Sequence, residues 1–99
     1  MSQELPASIK LRVISSTALL ADEEVQEVSF PSLEGYLGIR PGHRPMIVAL
    51  GRGLLTYKRA NKQNELPVNG GYAEVMPDRV LIFTEKTDDD KNRPSEGPG

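Results

Sequence analysis

Asn69-Gly70-Gly71-Tyr72-Ala73-Glu74-Val75-Met76-Pro77-Asp78-Arg79-Val80-Leu81-Ile82-Phe83-Thr84 carries the clearest structural signal in the chain. Tyr72–Met76 and Arg79–Thr84 are short, apolar-rich runs of strand length, and the Pro77-Asp78 pair between them is turn chemistry, so the segment reads as a β-hairpin. Just ahead of it, Asn69-Gly70-Gly71 supplies residues that tolerate positive φ at a turn.

The same grammar extends outward. Ile9, Leu11 and Val13 alternate with Lys10 and Arg12, giving one apolar and one charged face. Thr17–Ala21 is a short apolar run that is expected to stop at a turn over Asp22-Glu23-Glu24. Val28 and Phe30 alternate with Glu27 and Ser29 up to Pro31. Leu37–Ile39 is brief and enclosed by the turn formers Glu34-Gly35 and Pro41-Gly42. Met46–Leu50 and Leu54–Tyr57 flank Gly51-Arg52-Gly53, which permits a tight reversal or a bulge. Ala60–Asn64 reads as a polar loop before a weak strand at Glu65–Val68. No amphipathic helix and no internal repeat is visible. The expectation is an all-β domain of about eight to ten strands, a β-sandwich or flattened barrel, over residues 1–86. From Thr87 onward, Asp88-Asp89-Asp90 and Pro94-Ser95-Glu96-Gly97-Pro98-Gly99 read as a disordered acidic tail rich in Pro and Gly.

Composition narrows the function classes. Ninety-nine residues suit one small domain. The chain is 37% hydrophobic and has no tryptophan, and the tail from Thr87 contributes no large apolar residue, so the core must come from Leu5–Phe83. No cysteine is present, which removes disulfides and thiolate metal sites and permits a reducing compartment. Met1-Ser2-Gln3-Glu4 is polar and acidic, unlike a signal or transit segment. No apolar run approaches the roughly 20 residues of a membrane-spanning helix, so the protein is expected to be soluble or peripheral. The net charge of −2 argues against nucleic-acid binding. Arg40, Arg44, Arg52, Lys58, Arg59 and Lys62 nevertheless fall in a stretch without a carboxylate. They read either as solvated side chains on different strands or as a basic rim facing an acidic partner.

Chemistry has little to build on. His43, the only histidine, sits in Pro41-Gly42-His43-Arg44-Pro45, where a general base would need a nucleophile and an orienting carboxylate nearby. Ser15, Ser29 and Ser32 are not in a G-x-S-x-G setting. One histidine without cysteine does not make a zinc site, and Asp88-Asp89-Asp90 lacks fixed geometry. Gly35-Tyr36-Leu37-Gly38 has neither the lysine nor the strand–loop–helix context of a phosphate loop. No catalytic residue, cofactor or metal is assigned, and what remains is a module that works by contact.

The stretch Glu34-Gly35-Tyr36-Leu37-Gly38-Ile39-Arg40-Pro41-Gly42-His43-Arg44-Pro45-Met46 resembles the epsilon-subunit signature of bacterial and plastid F-type ATP synthases. Asn69–Pro77 matches a second family block, and Ile9-Lys10-Leu11-Arg12-Val13-Ile14-Ser15 resembles the family's opening strand ending in Ser. The likeness spans about residues 8 to 85 and implies a ten-stranded sandwich of two five-stranded sheets, closed and antiparallel, as suits an element that carries torque. It implies a place at the foot of the central stalk, against the gamma subunit and on the polar loops of the membrane c-ring, with the catalytic head of alpha and beta subunits reached indirectly.

By resemblance, Glu34, Gly35, Tyr36 and Gly38 fall at the c-ring contact, and Ser15 and His43 at the gamma-subunit contact. Tyr36 stands where the family is often acidic, and Asn69 where it is often Ser. Gly35 and Gly38 read either as turn formers or as places where the backbone meets the ring closely. Typical members continue into a C-terminal helical hairpin, for which the tail here has the wrong composition, so neither inhibition by helix insertion nor ATP sensing is expected. The implied role is a non-catalytic rotor subunit coupling proton flow to ATP synthesis, monomeric when isolated. Its expected location is peripheral, on the cytoplasmic face of a bacterial plasma membrane or on a plastid thylakoid. Two readings of other classes stand beside it: a free-standing β-sandwich adaptor for another protein, and a small hydrolase using His43.

Overall fold

The computed structural model describes residues 6–86, and the tail read as disordered lies outside the described residues. Eight strands follow one another: β1 (Ile9–Ile14), β2 (Leu19–Val25), β3 (Glu27–Ser32), β4 (Gly35–Ile39), β5 (Met46–Ala49), β6 (Arg52–Arg59), β7 (Lys62–Met76) and β8 (Arg79–Lys86). No helix occurs among the described residues, hence none long and apolar enough to cross a membrane.

The pairing divides at β7. Up to Asn69 this strand pairs with β6, which pairs with β3, and β3 with β4. From Gly71 it pairs with β8 and soon with β5 on its other side, and β8 leads on to β1 and β2. One layer is therefore β5-β7-β8-β1-β2 and the other β7-β6-β3-β4. The expected sandwich is present, but with eight strands in layers of five and four rather than ten in two fives. The difference arises at Asn69-Gly70-Gly71, where the chain turns from one layer into the other without leaving the strand.

Three local expectations are corrected. β1 and β8 run parallel, so the sandwich is not wholly antiparallel; both strands start beside the β7–β8 turn, where Lys10 N–H donates to the Asp78 carbonyl at 2.9 Å. Asp22-Glu23-Glu24 is not a turn but the middle of β2. Asp22 and Glu24 stand opposite Arg12 and Lys10 in the register, and such opposite-charge pairs favour a strand. Finally, the loop over Ala60–Asn64 shrinks to the Ala60-Asn61 turn, because Arg59 pairs with Lys62 and the hairpin closes there.

The core lies between the layers. Ile9, Leu11 and Val13 of β1, Ala73 and Val75 of β7, and Val80 and Ile82 of β8 face Val28, Phe30, Ile39, Leu55 and Val68 of the other layer, all buried. Alternation in sequence becomes alternation of faces, and each of these side chains larger than Ala contributes about 1.5–3 kcal/mol by leaving water. At the rim, Glu23 of β2 accepts from the Arg59 guanidinium of β6 at 2.9 Å, linking the layers. Loss of solvation and the nearby Glu23 carboxylate push the Tyr57 phenol above its ordinary value, while Arg59 pulls it down.

The passage between layers is fastened at several points. Leu50 N–H donates to the Gly71 carbonyl and Gly70 N–H to the Gly51 carbonyl, both at 3.0 Å. The buried Thr84 hydroxyl accepts the Asn69 N–H at 3.0 Å. Gly71 has φ +99°, and a Cβ there would lie 1.8 Å from the Phe83 carbonyl oxygen. Since a backbone oxygen inside a ladder cannot move aside, Gly71→Ala is expected to lower stability by about 2–4 kcal/mol in urea denaturation. Gly70→Ala, whose Cβ would meet only the Glu85 side chain at 3.0 Å, costs less. Equal midpoints for wild type and Gly71→Ala would contradict this account. A second expectation concerns pH. The fold favours the neutral Tyr57 phenol, so that contribution is complete below the unfolded value near 10 and fades as pH rises through the higher folded value. The melting-temperature difference between wild type and Tyr57→Phe should therefore change only above about pH 10.

Candidate protein-contact site

The Glu34-Gly35-Tyr36 motif is the tip of the β3–β4 hairpin. Ser32 pairs with Gly35, leaving Leu33-Glu34 as a two-residue turn. Ser32 organises it: its hydroxyl accepts the Glu34 N–H at 3.1 Å and donates to the Gly35 carbonyl at 2.6 Å. Gly35 takes φ +124°, a conformation that L side chains adopt only under strain. The Leu33 N–H donates to the Ala49 carbonyl at 3.3 Å, tying the turn to β5, while the Tyr36 hydroxyl accepts the Leu54 N–H of β6 at 3.0 Å.

What this hairpin shows to solvent is largely apolar. Leu33 is 73% exposed, Tyr36 59% and Ile47 of the neighbouring β5 74%. They surround an open hollow of about 410 Å³ in which, among the described residues, Glu34 is the only charged lining residue. Gly38 lies further along β4, exposed and paired with Ser29. It has no positive φ, and a Cβ built on it meets nothing within 4 Å. Conformation accounts for the glycine at 35; nothing among the described residues accounts for the one at 38.

Ser15 and His43 lie far apart. Ser15 follows the C-terminal end of β1, where its hydroxyl accepts the N–H groups of Thr17 and Ala18 at 3.2 Å each and so closes the turn into β2. His43 sits in the β4–β5 loop beside the other end of β1, since Gly42 N–H donates to the Pro77 carbonyl at 2.8 Å. The six residues of β1 put roughly 20 Å between the two. His43 Nδ1–H donates to the Arg44 carbonyl at 2.7 Å, which occupies the ring in its own loop. Among the described residues no hydroxyl hydrogen-bonds to His43, and no group of three or more His, Cys, Asp or Glu side chains could hold a metal.

Between the Ser15 turn and the β5 edge runs a surface that strand-by-strand reading does not single out. On the outward face of the five-stranded layer, Leu19, Ile14, Phe83, Tyr72 and Ala49 form one register row across all five strands. Leu19 is 57% and Tyr72 45% exposed, and Tyr72 stacks on Phe83 with ring centroids 5.6 Å apart. The signal available in the sequence was Met46–Leu50, apolar at every position: in a two-layer fold one face of such a strand has no core to enter. The basic residues form no single rim. Arg52 and Arg59 mark opposite ends of β6, Arg59 is paired with Glu23, and Lys58 stands opposite Glu27.

Comparison with known proteins places this architecture. The family profile for the β-sandwich domain of the ATP synthase delta/epsilon chain matches residues 8–88. The ATP synthase epsilon chain of Solibacter usitatus is 37% identical over 81 residues, covering 82% of this chain and 60% of that protein. ATP synthase epsilon chain 2 of Syntrophotalea carbinolica is 38% identical over 77 residues, covering 78% and 56%. The chain thus spans somewhat over half the length of these curated relatives. Among solved structures, a chain of the Euglena gracilis mitochondrial ATP synthase, in a structure of its OSCP, F1 and c-ring, superposes with TM-score 0.79 at 25% identity, over 87% of this chain and 56% of that one. A chain from the central stalk and c-ring of the Tetrahymena thermophila mitochondrial ATP synthase shares the fold, with TM-score 0.67 at 16% identity.

The two hairpin glycines give opposite expectations. Gly35→Ala is strained by its φ and should lower stability by about 1 kcal/mol or more. Gly38→Ala, with ordinary φ and open space, should be neutral within about 0.5 kcal/mol. Chemical denaturation of the two variants checks the contrast, and a large loss at Gly38→Ala would show an internal role that the geometry does not contain.

Proposed function

This chain belongs to the ATP synthase delta/epsilon β-sandwich family, and from that membership we propose that it serves as a non-catalytic rotor subunit in the central stalk of an F-type ATP synthase. In this reading it joins the gamma subunit to the c-ring, carries the coupling of proton flow to ATP synthesis, and meets the membrane only through the complex.

The observation that carries the proposal is the uncovered apolar surface. A two-layer sandwich satisfies its inner faces and leaves outer ones to water, yet here the Leu19–Ala49 row and the Leu33–Tyr36–Ile47 cluster are both apolar outside. Surfaces of that kind mark interaction with other proteins, and no enclosed polar site among the described residues offers an alternative use. The two regions adjoin at β5, through Ala49 and Ile47. We assign the hairpin, with Glu34, Gly35, Tyr36 and Gly38, to the polar loops of the c-ring. The bare backbone at Gly38 suits close approach by a partner. The outward face between Ser15 and His43, about 20 Å long, is assigned to the gamma subunit.

The assignment gives each partner its own surface, with Gly38 and His43 lining one open hollow where the two meet, and this makes it testable. A Cβ at Gly38 meets no described atom within 4 Å, so Gly38→Trp should fold normally. In pull-downs with the detergent-solubilised c-ring it is expected to reduce capture at least about tenfold, while capture of the gamma subunit persists; Phe83→Asp should do the reverse. Undiminished ring capture by Gly38→Trp combined with Leu33→Asp would remove the hairpin from the ring contact.

A further inference from the structure

The ladder between β3 and β6 stops early, and the way it stops assigns a role to Tyr36. Pairing runs Glu27–Lys58, Val28–Tyr57 and Ser29–Thr56, and ends there. Continued past Phe30 opposite Leu55, that register would next set Pro31 against Leu54. Pro31 has no N–H to give, and its carbonyl accepts the Gly51 N–H at 3.0 Å instead. The Leu54 N–H is thereby deprived of a partner on β3. Tyr36, the register partner of Pro31 on β4, reaches across β3 and supplies the acceptor, with its hydroxyl 3.0 Å from the Leu54 nitrogen. Its path passes over Gly53, where an added Cβ would sit 2.2 Å from the Tyr36 hydroxyl and 3.3 Å from the Pro31 ring. Pro31, Gly53 and Tyr36 are thus mutually fitted.

We infer that Tyr36 is a positioning residue: its hydroxyl replaces the ladder hydrogen bond missing at Pro31 and Leu54, and so locks the Leu33-Glu34 tip to the start of β6. Without that bond β4, an edge strand of its layer, is held only by β3, and the ties left near the tip belong to β3 and the turn, from Leu33 to the Ala49 carbonyl at 3.3 Å and from Gly51 to the Pro31 carbonyl at 3.0 Å. With the bond, the tip is fastened to β5 on one side and β6 on the other. Preset loops bind with less ordering cost than loose ones, so the lock matters for whatever the tip meets. The inference also settles what Tyr36 presents outward. Its hydroxyl oxygen is engaged with the backbone of its own chain, and the exposed part is the ring beside Leu33 and Ile47. The importance of the lock for docking rests on the ring contact proposed above; the lock itself does not.

Amide hydrogen exchange on the full chain, followed by NMR, tests the two separately. Tyr36→Phe keeps the ring over Gly53 and removes only the acceptor. It should speed exchange at Leu54 on the order of tenfold and at Glu34 and Gly35 by less. Core amides such as Leu11 and Val75 should be unmoved, and Tyr72→Phe, an exposed tyrosine outside the hairpin, should leave Leu54 unchanged. The same variant is then offered to the c-ring and to the gamma subunit: ring capture should fall several-fold with gamma capture intact, a split that general destabilisation does not produce. Unchanged exchange at Leu54 in Tyr36→Phe overturns the inference whatever the ring does. Faster exchange with ring capture unaffected, both here and in Leu33→Asp, upholds the lock and overturns the assignment of the hairpin to the ring.

Discussion

The structure hangs on one close passage: the backbone of β7 at Gly71 running directly against the Phe83 carbonyl of β8. There the strand leaves the four-stranded layer and joins the five-stranded one, and a single Cβ would block it. Everything else depends on that passage. The bonds from Leu50 to Gly71 and from Gly70 to Gly51 bring the β5–β6 connection to the same spot, so the chain changes layers twice at one place. Thr84, buried under the crossing, holds the Asn69 N–H. A sandwich fastened in this way is shut at one end by backbone and one buried hydroxyl, and its other inner side chains need only fill the space between.

That arrangement explains why the functional surface lies where it does. The double crossing fixes β5 beside the second half of β7 and β6 beside the first half. The β3–β4 hairpin projects between them and is tied to both, by Leu33 to Ala49 and by Tyr36 to Leu54. Exposed apolar groups on a free hairpin would invite misassociation. On one held from two sides they form a defined surface, at the cost of an edge strand that must be kept from pairing elsewhere. Positive φ at Gly35 and the small turn help to do that.

How much of this the sequence disclosed depended on the range of the interaction. Alternation in Ile9–Val13 and in Val28–Phe30 is local, and those residues entered the core as expected. The Pro77-Asp78 turn is local too, and it stands where expected. Asp22-Glu23-Glu24 misled because acidity is only a weak turn signal; its reason is Arg12 and Lys10 on the neighbouring strand, which no local window contains. The passage through Gly70-Gly71 was legible as a place needing glycine but not as an uninterrupted strand, since the contact that demands it comes from Phe83. In the hairpin, Ser32, Gly35 and the turn followed from chemistry within a few residues. The pairing of Tyr36 with Leu54 spans three strands and depends on a proline, so it emerged only from the register.

The same distinction separates what the chain requires of itself from what it offers outward. Gly71, Gly35 and Gly53 each have an internal reason, whether a carbonyl, a φ or a tyrosine. Gly38 has none, and neither does the outward apolar row from Leu19 to Ala49, which contributes nothing to the core it backs. Internal necessity is exhausted at those positions, yet water is a poor neighbour for Phe83, Ile47 and Leu33. Their free energy is recovered only when another surface covers them. In a fold whose inner faces are already filled and whose polar groups form no enclosed site among the described residues, association is the one process that turns this exposed surface into a gain.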